Sequence, residues 1–148
     1  MGSRRLPVLL CTLFLLGMAP LMPVTADDAP AWPNHVVISE VLASPSDAAH
    51  NGTDWNGDGY IGQSSDQFIE LWNPTDQTIN ISNWVLDDVI GGGSPACSIG
   101  WNTELAPGAR LAFFRDYTEI ELDYWDGDTV NLVDDQGNLV HSMTYAPE

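Results

Sequence analysis

One stretch of this sequence is spaced for chemistry. Asp54-Trp55-Asn56-Gly57-Asp58-Gly59-Tyr60-Ile61 puts oxygen-bearing side chains at alternate positions, Asp54, Asn56 and Asp58. In a tight loop, side chains at positions 1, 3 and 5 converge on one point. A glycine at position 6 allows the sharp turn, and position 7 offers a backbone carbonyl. Gly59 and Tyr60 fill those places, and Ile61 at position 8 is apolar enough to pin the loop to a core. Such a set of carboxylate, amide and carbonyl oxygens suits a hard cation, and the spacing points to Ca2+. The second half departs from the helix-flanked calcium loop. Position 12 is Ser65 instead of a bidentate glutamate, so closure falls to Asp66, or less favourably to Glu70 on the next strand. The expected metal set is Asp54, Asn56, Asp58, Tyr60 and Asp66. Asn-Gly-Asp-Gly is also ordinary turn chemistry, so the same residues serve a metal-free loop equally well.

Other chemistry-bearing residues form no such pattern. His35, His50 and His141 lack zinc spacing. Asp126, Asp128, Asp134 and Asp135 flank glycine turns and read as solvated turn residues. No Gly-x-Ser-x-Gly or phosphate-binding glycine loop occurs, and no catalytic constellation is expected.

The elements that must carry the loop are strands. From His35 onward no 3.6-residue periodicity is sustained. Short runs rich in Val, Ile, Leu and aromatics alternate with Gly, Pro, Asn and Asp clusters. The runs are Val36 to Leu42, Gln67 to Trp72, Thr78 to Ile81, Trp84 to Asp87, a weak one at Cys97 to Trp101, Arg110 to Phe114, Thr129 to Val133, and Leu139 to Tyr145. Leu105-Ala106-Pro107-Gly108 reads as a turn, and Asp134-Asp135-Gln136-Gly137 as a hairpin turn. Asp116 to Trp125 has room for a short helical turn. About eight short strands with frequent turns specify an all-β sandwich or barrel.

The N-terminal part is expected to be a signal peptide. Arg4 and Arg5 precede an apolar run from Leu6 to Met22, and Val24-Thr25-Ala26 offers small residues for cleavage after Ala26. The run is interrupted by Gly17 and Pro20 and falls short of a membrane span. The expected organisation is residues 1–26 as leader, 27–35 as a short linker and 36–148 as one domain, secreted and with no membrane span in the mature chain. Only Cys97 then remains, so no intramolecular disulfide forms and a small buried core residue is the expected role. The chain has no lysine. Without the leader, two arginines stand against 21 acidic residues, a net charge of −19. That charge repels phosphate backbones and anionic membranes, so nucleic acid is not an expected partner. It is tolerable where high salt screens it or divalent cations neutralise it.

Several of these runs, in their order, resemble the lamin tail domain family. The matching segments are Ile38-Ser39-Glu40-Val41, Asp66 to Asn73, Ser82 to Asp88, Leu105 to Gly108, and Gly127 to Asp134, with Gly137 and a last strand ending at Tyr145. His141 stands where many members carry an acidic residue. The resemblance implies an immunoglobulin-like β-sandwich without the intersheet disulfide, and no catalytic role for the domain. It implies a binding or structural module that associates with an extracellular protein or matrix component. The alternative it leaves open is an accessory domain, or fragment, of a secreted hydrolase such as a nuclease or phosphatase.

Overall fold

The computed structural model describes residues 33–45 and 52–147, which fall within a single unit, Ala31–Glu148. The expected leader, most of the linker and His50 lie outside the described residues. Nine strands follow in the order β1 (Val37–Leu42), β2 (Phe68–Trp72), β3 (Ile79–Asn80), β4 (Val85–Asp87), β5 (Cys97–Ser98), β6 (Glu104–Leu105), β7 (Arg110–Phe114), β8 (Asp128–Val133) and β9 (Leu139–Tyr145). One helical turn, α1 (Arg115–Thr118), follows β7 directly.

The strands form an antiparallel three-stranded sheet, β1-β2-β7, and a four-stranded sheet, β5-β4-β8-β9, with β3 and β6 as a two-stranded pair. Alternation sorts the faces. In β2, Ile69 and Leu71 are buried almost completely and join Ile38 of β1 and Phe113 of β7 in the core. Leu86 of β4 and Val130 and Leu132 of β8 meet the same cluster from the second sheet. Ile81 and Leu105, Ile120 and Leu122 complete it from the small pair and the segment after α1. Two antiparallel sheets enclosing one apolar layer make an immunoglobulin-like β-sandwich, as expected.

The differences from the sequence reading are local. Leu105 does not open a turn. It closes the two-residue strand β6, paired with Ile79, and the turn spans Ala106 to Ala109, whose N–H donates to the Ala106 carbonyl (3.0 Å). β6 carries one apolar residue, Leu105, directly before the Ala106-Pro107-Gly108 turn, so it offers no run to read and nine strands occur where eight were legible. The helical turn begins at Arg115 and ends at Thr118, because Glu119 adopts a left-handed conformation (φ 60°) and its N–H caps the Arg115 carbonyl. Cys97 is buried in the core, as its size suggests.

A candidate metal-binding loop

The loop enters β2 through Asp66, which is fully buried. Asp66 Oδ1 accepts hydrogen bonds from the Trp55 (2.9 Å) and Asn56 (3.1 Å) N–H groups, and Oδ2 accepts from Gly62 N–H (2.7 Å). A buried carboxylate without a cation is stabilised by such converging donors. Asp66 therefore ties both limbs of the loop together from beneath. Trp55 adds a second anchor, its ring 5.8 Å from that of Phe68 on the outer face of β2. Ile61 does not pin the loop as expected: it is 45% exposed, as is Tyr60 at 73%. Trp55 packs on the sheet instead, so the apolar tip is left in solvent.

Above Asp66 the other oxygen donors gather. Asp54 Oδ1 accepts from Gly57 (2.7 Å) and Asp58 (3.1 Å) N–H, and its Oδ2 from Gly59 N–H (2.7 Å). Asn56 Oδ1 accepts from Asp58 N–H (3.0 Å), and Asp58 Oδ1 from Tyr60 N–H (2.7 Å). Gly57 and Gly59 hold φ of 77° and 88°, a region only glycine enters freely, which lets successive N–H groups turn inward. One contributor was not legible in the sequence. Asp116, from α1, approaches so that the Asn56 amide nitrogen lies 3.2 Å from Asp58 Oδ2 and 3.4 Å from Asp116 Oδ2. Sixty residues separate Asn56 from Asp116, and only the β2–β7 pairing brings them together. Glu70, the less favoured closing residue, is elsewhere: it takes a hydrogen bond from Ser39 (2.6 Å) and pairs with Arg110 across the sheet.

The donor set of Asp54, Asn56, Asp58 and the Tyr60 carbonyl is oxygen throughout, which matches a hard cation. It holds few charges: among the described residues no group of three or more His, Cys, Asp or Glu side chains is gathered closely enough to hold a metal ion.

A second acidic region lies at the other end of the second sheet. Asp88, Glu119, Glu121, Asp123 and Asp128 line an open recess of about 490 Å³. Burial, then the charges of Asp88 and Asp123, push the Asp128 carboxyl above its ordinary pKa. Asp87 is pushed up as well, by burial first and by Asp88 next. Its Oδ1 is buried with no hydrogen-bond partner. Asp134, by contrast, is a turn residue, as its place before Gly137 predicts. It accepts from Gln136 and Asn138 N–H and from the Asn138 amide, which lowers its pKa. The His35 and His141 rings lie 6.2 Å apart, and His141 Nδ1 accepts from Ile38 N–H (3.2 Å) between the two sheets. That is a packing role at a sheet junction.

Two antiparallel sheets closed over one apolar core, with loops rich in side-chain oxygens, define an immunoglobulin-like module. The family model for the Lamin Tail Domain matches residues 29–147, and the chain belongs to that family, whose immunoglobulin-like domains are non-catalytic. No curated protein gives a significant match. Among the described residues no helix is long and apolar enough to cross a membrane.

Proposed function

We propose that this lamin tail domain is a secreted, non-catalytic association module whose Asp54–Asp66 loop is set by Ca2+, and that it adheres to an extracellular protein or matrix component. The observation carrying this reading is the two-layered loop. Asp66 and Trp55 fix its base to β2, while Asp54, Asn56 and Asp58 present oxygens whose partners, among the described residues, are the loop's own N–H groups and the Asn56 amide. Asp58 and Asp116 flank the Asn56 amide nitrogen and Asp54 lies in the same loop, so like charges gather here and repel one another. A divalent ion at Asp54, Asn56, Asp58 and the Tyr60 carbonyl relieves that repulsion and stiffens the exposed tip at Tyr60 and Ile61, which is the natural contact surface. Asp66 belongs to the set as its buried support. The modest carboxylate count places the affinity in the millimolar class of extracellular modules.

Thermal melts in low salt, with EDTA and then with Ca2+ or Mg2+, test this. At ten times Kd, binding to the folded state alone adds about 1.4 kcal/mol, which raises the midpoint of a domain this size by roughly 6 °C. The expected result is a Ca2+-specific rise that Asp58→Ala abolishes. Equal midpoints in EDTA and Ca2+ would reduce the loop to an acidic turn.

A further inference from the structure

Strand β7 ends the three-stranded sheet, and among the described residues β2 is its only ladder partner. The other edges are managed differently. β1 and β9 lie against each other, with Ile38 N–H donating to His141, and β3, β5 and β6 are two residues long. β7 is five residues long, and the direction of its free polar groups follows from its register. Arg115 N–H donates to the Gln67 carbonyl (2.9 Å), and Asn73 N–H donates to the Ala109 carbonyl (3.0 Å). Both pairs keep the β2–β7 register, in which Phe113 faces Ile69 and Leu111 faces Leu71. In an antiparallel ladder, bonded and non-bonded pairs alternate. Leu111 and Phe113 therefore bond to β2. The N–H and C=O groups of Arg110 and Ala112 and the N–H of Phe114 point away from it, while the Phe114 carbonyl starts α1 as its N-cap. Beside this edge runs a mostly apolar groove of about 320 Å³, lined by Thr103, Leu111, Ala112, Phe113, Phe114 and Tyr117. Tyr117 is 56% exposed, its ring 6.1 Å from Phe113.

Charge says what fits there. The only two arginines outside the leader region, Arg110 and Arg115, stand at the two ends of β7, and there is no lysine. On so acidic a molecule this edge is the strip where a second copy meets the least repulsion. We infer that β7 is a self-association edge, on which a second copy of this chain pairs antiparallel about a two-fold axis at Ala112. In that register Ala112 faces Ala112 of the second copy, and Arg110 faces its Phe114. The second copy's Asp116, exposed and two residues further on, comes within reach of the Arg110 side chain. An isologous strand pairing of this kind closes at two copies, and the two sheets become one of six strands. The contact is short and the molecules are alike in charge, so pairing tightens as salt rises. None of this depends on a bound cation.

Analytical ultracentrifugation of the purified chain over a range of concentrations, at about 0.15 M and about 1 M NaCl, reads it directly. A reversible dimer, tighter at the higher salt, is expected. Ala112→Pro removes an N–H that β2 does not use, at an edge position where proline is tolerated. It is expected to weaken pairing about ten-fold or more while leaving the melting midpoint in place. Backbone amide exchange on the unaltered chain supplies a readout that no variant can confuse. Ala112 and Phe114 gain protection as concentration rises, whereas Leu111 and Phe113 are protected throughout. A monomer at every concentration and salt overturns the inference. So does a dimer that survives Ala112→Pro, or one whose new protection falls on β9.

Discussion

At the scale of single residues, the carboxylates divide by what their oxygens meet. Asp66 is fully buried yet collects three N–H donors, and Asp134, half-buried in a turn, accepts from Gln136 and Asn138. Asp87 has neither full solvation nor a complete set of partners. A carboxyl whose pKa is raised by folding stabilises the fold below its ordinary value of 3.8 and loses that contribution as pH climbs through the raised value. Asp87 and Asp128 therefore weaken the fold at neutral pH and cease to do so in acid. His141 has the opposite sign. Burial, then His35, lowers its pKa from 6.5, so its contribution is complete above that pH and is lost as pH falls below it. Asp87→Asn keeps the shape and removes the charge. At pH 7 it is expected to stabilise the domain by about 1 kcal/mol, the scale of a like-charge contact screened by water. The gain should vanish at about pH 3, below the ordinary carboxyl value of 3.8, where protonation neutralises that position. Thermal or denaturant melts at the two pH values check both halves. Asp54, Asn56 and Asp58 were legible because their spacing is local. Asp87 and Asp128 were not, because what raises them first is burial, and the fold alone decides which carboxylates it buries.

At the scale of elements, two side chains at the ends of β2 act as hydrogen-bond hubs. Asn73 is fully buried after β2. Its Nδ2 donates to the carbonyls of Gln77 (2.7 Å), Leu105 (2.8 Å) and Ala106 (3.1 Å), and its Oδ1 accepts from Thr75 N–H and the Thr75 hydroxyl. One side chain thus fixes the end of β2 to β6 and to the turn before β7. Gln67 does the same at the start of β2, donating to the Ala43 and Leu122 carbonyls (2.7 and 2.9 Å). Asn73→Ala leaves buried carbonyls without donors and is expected to cost about 3 kcal/mol. Gly127 supplies a contrasting test. It has φ 75°, and a Cβ there would fall 2.4 Å from the Tyr145 carbonyl oxygen, whereas Gly137, at φ 84°, has open space around it. Gly137→Ala carries only the conformational cost of about 1 kcal/mol. Gly127→Ala must also displace β9, so its loss of stability should be at least twice as large in equilibrium unfolding. Strands long enough to alternate were legible in the sequence. The two-residue β6 was not. Ile61 misled because the pattern gives its apolar character but not the competing anchor, Trp55 on Phe68.

At the scale of the whole molecule, charge is the property most completely legible in the sequence and the least informative about where it acts. The acidic residues reach two places: the Asp54–Asp58 loop beside β2, and the recess beyond β4 and β8. The first is drawn largely from one segment, whereas the second joins Asp88 to residues 119–128, which is why only the first was foreseeable. The two respond differently to ions. Monovalent salt screens every exposed charge within a Debye length of about 8 Å at physiological strength, whatever its arrangement. A divalent cation acts only where oxygens converge. Raising NaCl from about 0.01 M to about 1 M is therefore expected to lift the melting midpoint by roughly 5 °C, equally in the unaltered chain and in Asp58→Ala. On the proposed reading, millimolar Ca2+ is expected to separate the two proteins, with an increment that persists in high salt because coordination by converging oxygens is not replaced by screening. If about 1 M NaCl abolished the calcium increment, the acidity would be an adaptation to salt, and the loop would share in it as one charged turn among several.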